Sequence, residues 1–98
     1  MLKKNYLKTG NLCQVTFILP EEVNTKTAVL CGDFNNWDTQ ATPMKYVKNE
    51  GHSVTIPLSV GQSYRFRYFL DDERWENDWH ADSYVRNEFG SEDSIVTV

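Results

Sequence analysis

An all-β fold, an antiparallel β-sandwich, is what this sequence predicts, and three observations predict it. Leu12 to Leu19 alternates, with Cys13, Val15, Phe17 and Leu19 on one side and Gln14 and Thr16 on the other. Ser63 to Leu70 does the same, with Tyr64, Phe66, Tyr68 and Leu70 opposed by Arg65, Arg67 and Phe69. A period of two sends successive side chains to opposite faces of a strand, so each run reads as a strand with one buried face. No segment sustains helical periodicity, and turn-forming residues interrupt the apolar runs at short intervals.

Taken in order, residues 1–11 read as a flexible leader and residues 12–98 as a single domain. Pro20 ends the first strand, and Glu21-Glu22-Val23-Asn24 makes a polar connection. Thr27 to Cys31 is short, apolar and includes a β-branched residue, which reads as a buried strand. It runs into Gly32-Asp33-Phe34-Asn35-Asn36-Trp37, where glycine and two asparagines supply the backbone freedom of a tight turn. Met44 to Val47 reads as a short edge strand, and Lys48-Asn49-Glu50-Gly51 as a turn. Val54, Ile56 and Leu58 alternate with polar neighbours, and Pro57 places that strand at its end or at an edge. Asp71-Asp72-Glu73 turns the chain into Arg74-Trp75. From Asn77 to Gly90 the chain is polar and irregular, with Trp79, Tyr84, Val85 and Phe89 as anchors, and a last strand starts near Ser94. The expected core is Val15, Phe17, Val29, Phe34, Ile56, Phe66 and Val96.

Composition narrows the function. At 98 residues, 40% apolar and 13% aromatic, the chain can bury one modest core. A net charge of -4 argues against a nucleic-acid partner, and no stretch approaches the roughly twenty apolar residues of a membrane span. The start carries lysines but no apolar stretch of a signal peptide, so the expected location is cytoplasmic. Cys13 and Cys31 are too few for a disulfide scaffold and read as small buried hydrophobes, with a bridge between them left open. Nine carboxylates between Asp71 and Asp93 face only Arg74 and Arg86, the pattern of a solvated acidic face. Neither Asp71-Asp72-Glu73 nor Asp78-x-His80-x-Asp82 has the spacing of an EF-hand or a common zinc site, so no metal or cofactor is expected. His52 and His80 are isolated, and no nucleophile arrangement accompanies them, so the chain is expected to be non-catalytic.

The residues that point to chemistry are aromatic and basic. Trp37 stands at a turn, Arg67 on the outward register of a strand, Trp75 just past a hairpin, and Phe89 on a late loop. Indole faces pack against the C–H bonds of a pyranose, and a guanidinium donates to ring hydroxyls without losing its charge. Two platforms set at an angle suit a curved glucan better than a flat one.

The order of these motifs resembles family 48 of the carbohydrate-binding modules. Val29-Leu30-Cys31-Gly32-Asp33-Phe34-Asn35-Asn36-Trp37 is similar to that family's G-x-F-N-x-W segment. Tyr64 to Asp71, Trp75-Glu76-Asn77-Asp78, Asn87-Glu88-Phe89-Gly90 and Ser94 to Val98 resemble its later motifs in order. The family includes the glycogen-binding domain of AMP-activated protein kinase β-subunits and the early-set domains of isoamylases and branching enzymes. The resemblance implies an immunoglobulin-like, early-set β-sandwich that holds α-1,4-linked glucan on a shallow aromatic surface. It implies Trp37 and Trp75 as stacking platforms, Arg67 as the basic strand residue and Phe89 as the apolar residue in the curve of the glucan. Ser94 falls where the family has a sugar-bonding asparagine, and Asn36 joins the set beside Trp37. Ser94 and the Asp72-Glu73 turn depart from the family pattern, and Trp79 reads as a loop anchor. The partners implied are an α-glucan and a glucan-metabolising enzyme or kinase in trans. The alternative is an early-set structural or protein-interaction module that has lost sugar binding.

Overall fold

The computed structural model describes residues 1–8 and 10–98, so residue 9 of the expected leader lies outside the described residues. The fold class is the expected one. The described residues form nine strands and one short 3-10 turn: β1 (Leu2–Tyr6), β2 (Leu12–Leu19), β3 (Ala28–Gly32), the turn (Asp33–Asn35), β4 (Lys45–Val47), β5 (Gly51–Ser59), β6 (Ser63–Leu70), β7 (Arg74–Glu76), β8 (Ser83–Arg86) and β9 (Glu92–Thr97). One sheet has the order β1-β2-β5-β4, and the other β3-β6-β9-β8 with β7 also paired to β6. Every pairing between strands is antiparallel.

The core lies between the sheets. Cys13, Val15, Phe17 and Leu19 enter it from β2, and Leu30, Phe66, Tyr68, Leu70 and Val96 from β3, β6 and β9. Phe17 and Phe66 meet across it edge to face, with ring centroids 5.0 Å apart. Burying each such ring contributes about 1.5–3 kcal/mol. Three expected core residues differ. Phe34 and Ile56 are partly buried at the core's margin. Val29 lies on the outer face of its sheet, because Ala28 and Leu30 take the inward positions. Ala28-Val29-Leu30-Cys31 is apolar throughout and carries no alternation to show which face is inner.

The segment expected as a flexible leader is a strand in residues 2–6. β1 pairs with β2 from Leu2↔Phe17 to Tyr6↔Cys13, and Leu2 packs against the core. Its Lys-Lys-Asn centre shows no alternation because the strand lies at a sheet edge, where lysine also discourages pairing with another chain. Pro57 lies on β5 beyond the stretch Gly51–Ser53 that β4 covers, in keeping with a position free of a second neighbour. Of the expected anchors of the 77–90 stretch, Val85 is half-buried and the Tyr84 hydroxyl donates to the Asp78 carbonyl (2.7 Å), while Trp79 is 49% and Phe89 84% exposed. Trp79 is therefore corrected from anchor to surface residue. Cys13 and Cys31 are both free thiols, one in each sheet.

Along one edge, β6 changes partner. Ser63–Phe66 pairs with β9, and Tyr68–Leu70 pairs with β7, while β3 takes the other edge. Arg67 sits at the change. The gap is sutured from inside by Ser94, whose hydroxyl accepts from the Asp78 amide (2.9 Å) and donates to Asn77 Oδ1 (2.8 Å). Asp78 is itself buried and accepts from the Tyr68 hydroxyl (2.6 Å) and the His80 amide (2.7 Å). Burial pushes the Tyr68 phenol well above its usual range, so it stays a donor.

The Asp71-Asp72-Glu73 hairpin keeps its register, with Phe69↔Trp75 opposite each other, at the cost of positive φ at Asp71 (51°) and Asp72 (56°). Asp72→Gly should relieve part of that strain and stabilise the fold by about 0.5–1 kcal/mol, read as a rise of a few degrees in Tm. The Asp71 carboxylate accepts from the Thr27 amide (3.0 Å) and the Lys26 amide (2.9 Å), which holds its pKa below the ordinary 3.8. A depressed carboxyl stabilises the fold above its unfolded pKa and loses that contribution as pH falls through the folded value. The Tm advantage of the parent over Asp71→Asn should therefore be constant above about pH 5 and shrink towards about pH 2.

Candidate functional site

The site begins with the turn after β3. Gly32 has an extended backbone (φ -174°), so positive φ is not why glycine stands there. A Cβ at Gly32 would lie 2.5 Å from the Arg65 carbonyl oxygen and 2.8 Å from the Phe34 ring, and only a bare Cα fits. Positive φ falls instead on Asn36 (58°) and Trp37 (57°). For a residue as bulky as tryptophan that conformation is a true outlier, held only when its surroundings over-determine it. They do here. The Asn35 side chain accepts from the Gly32 amide (3.0 Å) and donates to the Leu30 carbonyl (2.9 Å) and Thr42 Oγ1 (2.9 Å). The Trp37 amide donates to the Gly32 carbonyl (2.9 Å), and its indole N–H to Asp33 Oδ1 (3.1 Å). The turn folds over Cys31, whose thiol meets the Asp38 carbonyl (3.4 Å). Burial, with a smaller push from Asp38, raises that thiol to about 11, so it is inert.

On the outer face of the β3-β6-β9-β8 sheet, Trp37 meets Trp75. Their centroids are 6.2 Å apart and the rings stand at 61°. Trp75 is backed by Phe69 at 4.7 Å, which fixes its plane. The two indoles form one end of a groove of about 910 Å³ that runs over Arg67 to the 87–91 loop.

That loop is built on Asn87. Its Oδ1 accepts from the Phe89 (3.0 Å) and Ser91 (3.2 Å) amides, and Gly90 turns at φ 81°. The closed loop leaves Phe89 84% exposed and lining the groove. Arg67 ties the loop to the sheet: Nε donates to Asp93 Oδ1 (3.0 Å), and Nη2 donates to Ser91 Oγ (2.7 Å) and the Glu92 carbonyl (2.6 Å). Among the described residues Nη1 has no hydrogen-bond acceptor, so its two hydrogens remain for a ligand.

Four of the six expected residues, Trp37, Arg67, Trp75 and Phe89, thus line one groove. Two do not. Asn36 is exposed in the turn but outside the groove lining. Ser94 is fully buried, with its hydroxyl committed to Asp78 and Asn77, and this corrects its expected role as a surface contact. The strand alternates, and with Ser94 and Val96 inward it is Asp93 that faces the groove. Sequence reasoning also missed Arg65, Arg86 and Ser91, which line it too. Arg65 was legible, because it shares the outward register of Arg67.

The two-sheet sandwich thus presents an angled aromatic pair and a guanidinium on one open face. The family model of carbohydrate-binding module 48 (isoamylase N-terminal domain) matches residues 22–85, and the chain belongs to that family. No curated protein matches the chain. The family match covers Trp37, Arg67 and Trp75, while Phe89, Ser91 and Asp93 lie beyond it.

Ser94→Ala should leave the Asp78 amide unpaired in the interior and cost about 1–3 kcal/mol, seen as a lower urea midpoint. Below that midpoint the variant should behave as the parent does on any carbohydrate the groove retains, whereas a direct sugar contact would show as lost retention.

Proposed function

We propose that this domain binds α-1,4-linked glucan of the glycogen or starch type, without catalysing any reaction on it. The observation that carries the reading is the Trp37–Trp75 pair, held at 61° over a groove that also contains Arg67 and an 84%-exposed Phe89. A flat chain offers its faces in one plane. A curved glucan turns successive rings, so two platforms at an angle meet two sugars. Water is a poor partner for a ring as open as Phe89, and covering it would contribute about 2 kcal/mol. Its place in the same groove as the indoles suits the apolar inner side of the glucan curve. Arg67 donates from Nη1 to a ring hydroxyl while its other nitrogens hold the loop.

In this reading the domain carries glucan to a glucan-metabolising enzyme or a kinase in trans. Its free thiols fit the reducing cytoplasm. The face is shallow and the ligand mobile, so the dissociation constant should fall between roughly micromolar and millimolar, or about -8 to -4 kcal/mol.

Affinity electrophoresis through glycogen, with cellulose as the control, tests this. The parent should be retarded by glycogen alone. Trp75→Ala and Phe89→Ala should each remove most of the retardation with little change in Tm, because both rings are open to solvent. Trp37→Ala should do the same. Arg67→Ala should lose both binding and some stability, because it also removes the ties to Asp93, Ser91 and Glu92. Folded Trp37 and Trp75 variants that run as the parent does in glycogen would place any glucan elsewhere.

A further inference from the structure

The cations of the groove are all guanidinium, a feature that a neutral ligand does not require. The chain has four arginines and six lysines. Three of the four arginines, Arg65, Arg67 and Arg86, line the groove, and no lysine does. This is the one concentration of guanidinium on a chain whose net charge is -4. Lysine would serve as a point charge anywhere on the surface. Arginine presents a planar fork of donors that fits phosphate oxygens in pairs.

Asp33, Glu88 and Asp93 line the same groove, so its formal charges balance, but these carboxylates leave donors of the forks open. Asp93 lies between Arg67, at 3.0 Å, and Arg65, whose Nη1 stands 3.6 Å from Oδ2, beyond hydrogen-bond reach. The Arg65 side chain is 45% exposed. Arg86 is exposed and makes no side-chain hydrogen bond or ion pair among the described residues. Asp33 spends one oxygen on the Trp37 indole and the other on the Arg65 amide. Glu88 has no such partner among the described residues, and all three carboxylates oppose an anion.

Resting on the proposed glucan binding, we infer that the groove prefers a glucan bearing phosphate monoesters, with Arg65 and Arg86 holding the phosphate while the indoles hold the sugar. A phosphate monoester carries about -1.5 to -2 charges and three acceptor oxygens at neutral pH, enough for two guanidinium forks at once. A hydroxyl of a neutral glucan uses one donor and leaves the rest to water. Asp33, Glu88 and Asp93 set an upper limit on the preference.

The test compares one amylopectin that is naturally phosphorylated with the same polymer after phosphatase treatment, in affinity gels and by calorimetry. The parent should bind the phosphorylated form about three- to tenfold more tightly, and the ratio should shrink as salt is raised from about 20 mM to about 500 mM. Arg65→Gln with Arg86→Gln should bring the ratio to about one, and Glu88→Gln should raise it above the parent's. Inorganic phosphate separates an ester on the glucan from a free anion. At millimolar concentration it should not bind measurably without sugar. Equal binding of the two polymers overturns the phosphate preference and leaves glucan binding standing. Binding of neither overturns both. Tight binding of inorganic phosphate alone, unaffected by Trp75→Ala, marks an anion site unrelated to glucan and overturns the inference.

Discussion

Strand β6 changes neighbours halfway along one edge, and the guanidinium of Arg67 closes the interval. Its Nε and Nη2 reach Asp93, Ser91 and the Glu92 carbonyl, so the end of β9 and the loop before it are held to the middle of β6. Beneath it, inside the sandwich, Ser94, Asn77 and Asp78 make the same closure in neutral hydrogen bonds and a buried carboxylate. The outer tie sets the far side of the groove, and the inner one sets the course of the chain after Trp75. Among the described residues no buried side-chain nitrogen or oxygen is left without a partner. That matters at this point in the fold, where two strand ends leave backbone that a continuous ladder would otherwise satisfy.

How much of this the sequence disclosed depended on periodicity. β2 and β6 have one wet face and one dry face, and their alternation named both faces of each correctly. β3 is apolar on both sides, because its outer face is roofed by the turn over Cys31, and its inward residues were not separable from Val29. β1 is nearly all exposed and had no pattern to read. The largest difference in the site is one residue long. A slip of one along a strand exchanges its faces, so a motif aligned on Ser94 instead of Asp93 names the buried neighbour of the groove residue. Composition could not decide between two adjacent polar residues. The inward position of Val96, two residues on, could have.

The Trp37 turn shows where local preference is overruled. Two successive residues with positive φ, one of them tryptophan, are held by a side-chain clamp from Asn35 and by the amide of Trp37 itself. Such strain is retained when it delivers a side chain to a place that no relaxed backbone reaches. Here it brings an indole into edge contact with a second one from a different hairpin, 38 positions away in sequence.

The contact between Gly32 and the Arg65 carbonyl sets the spacing of this surface with main-chain atoms. The turn that carries Trp37 and the strand that carries Arg65 and Arg67 meet backbone to backbone, with no side chain between them to shorten or lengthen. The spacing of the Trp37 turn from that strand is therefore set by main-chain atoms. Substitution along the rim leaves that distance unchanged, whereas any side chain at Gly32 would push the two backbones apart.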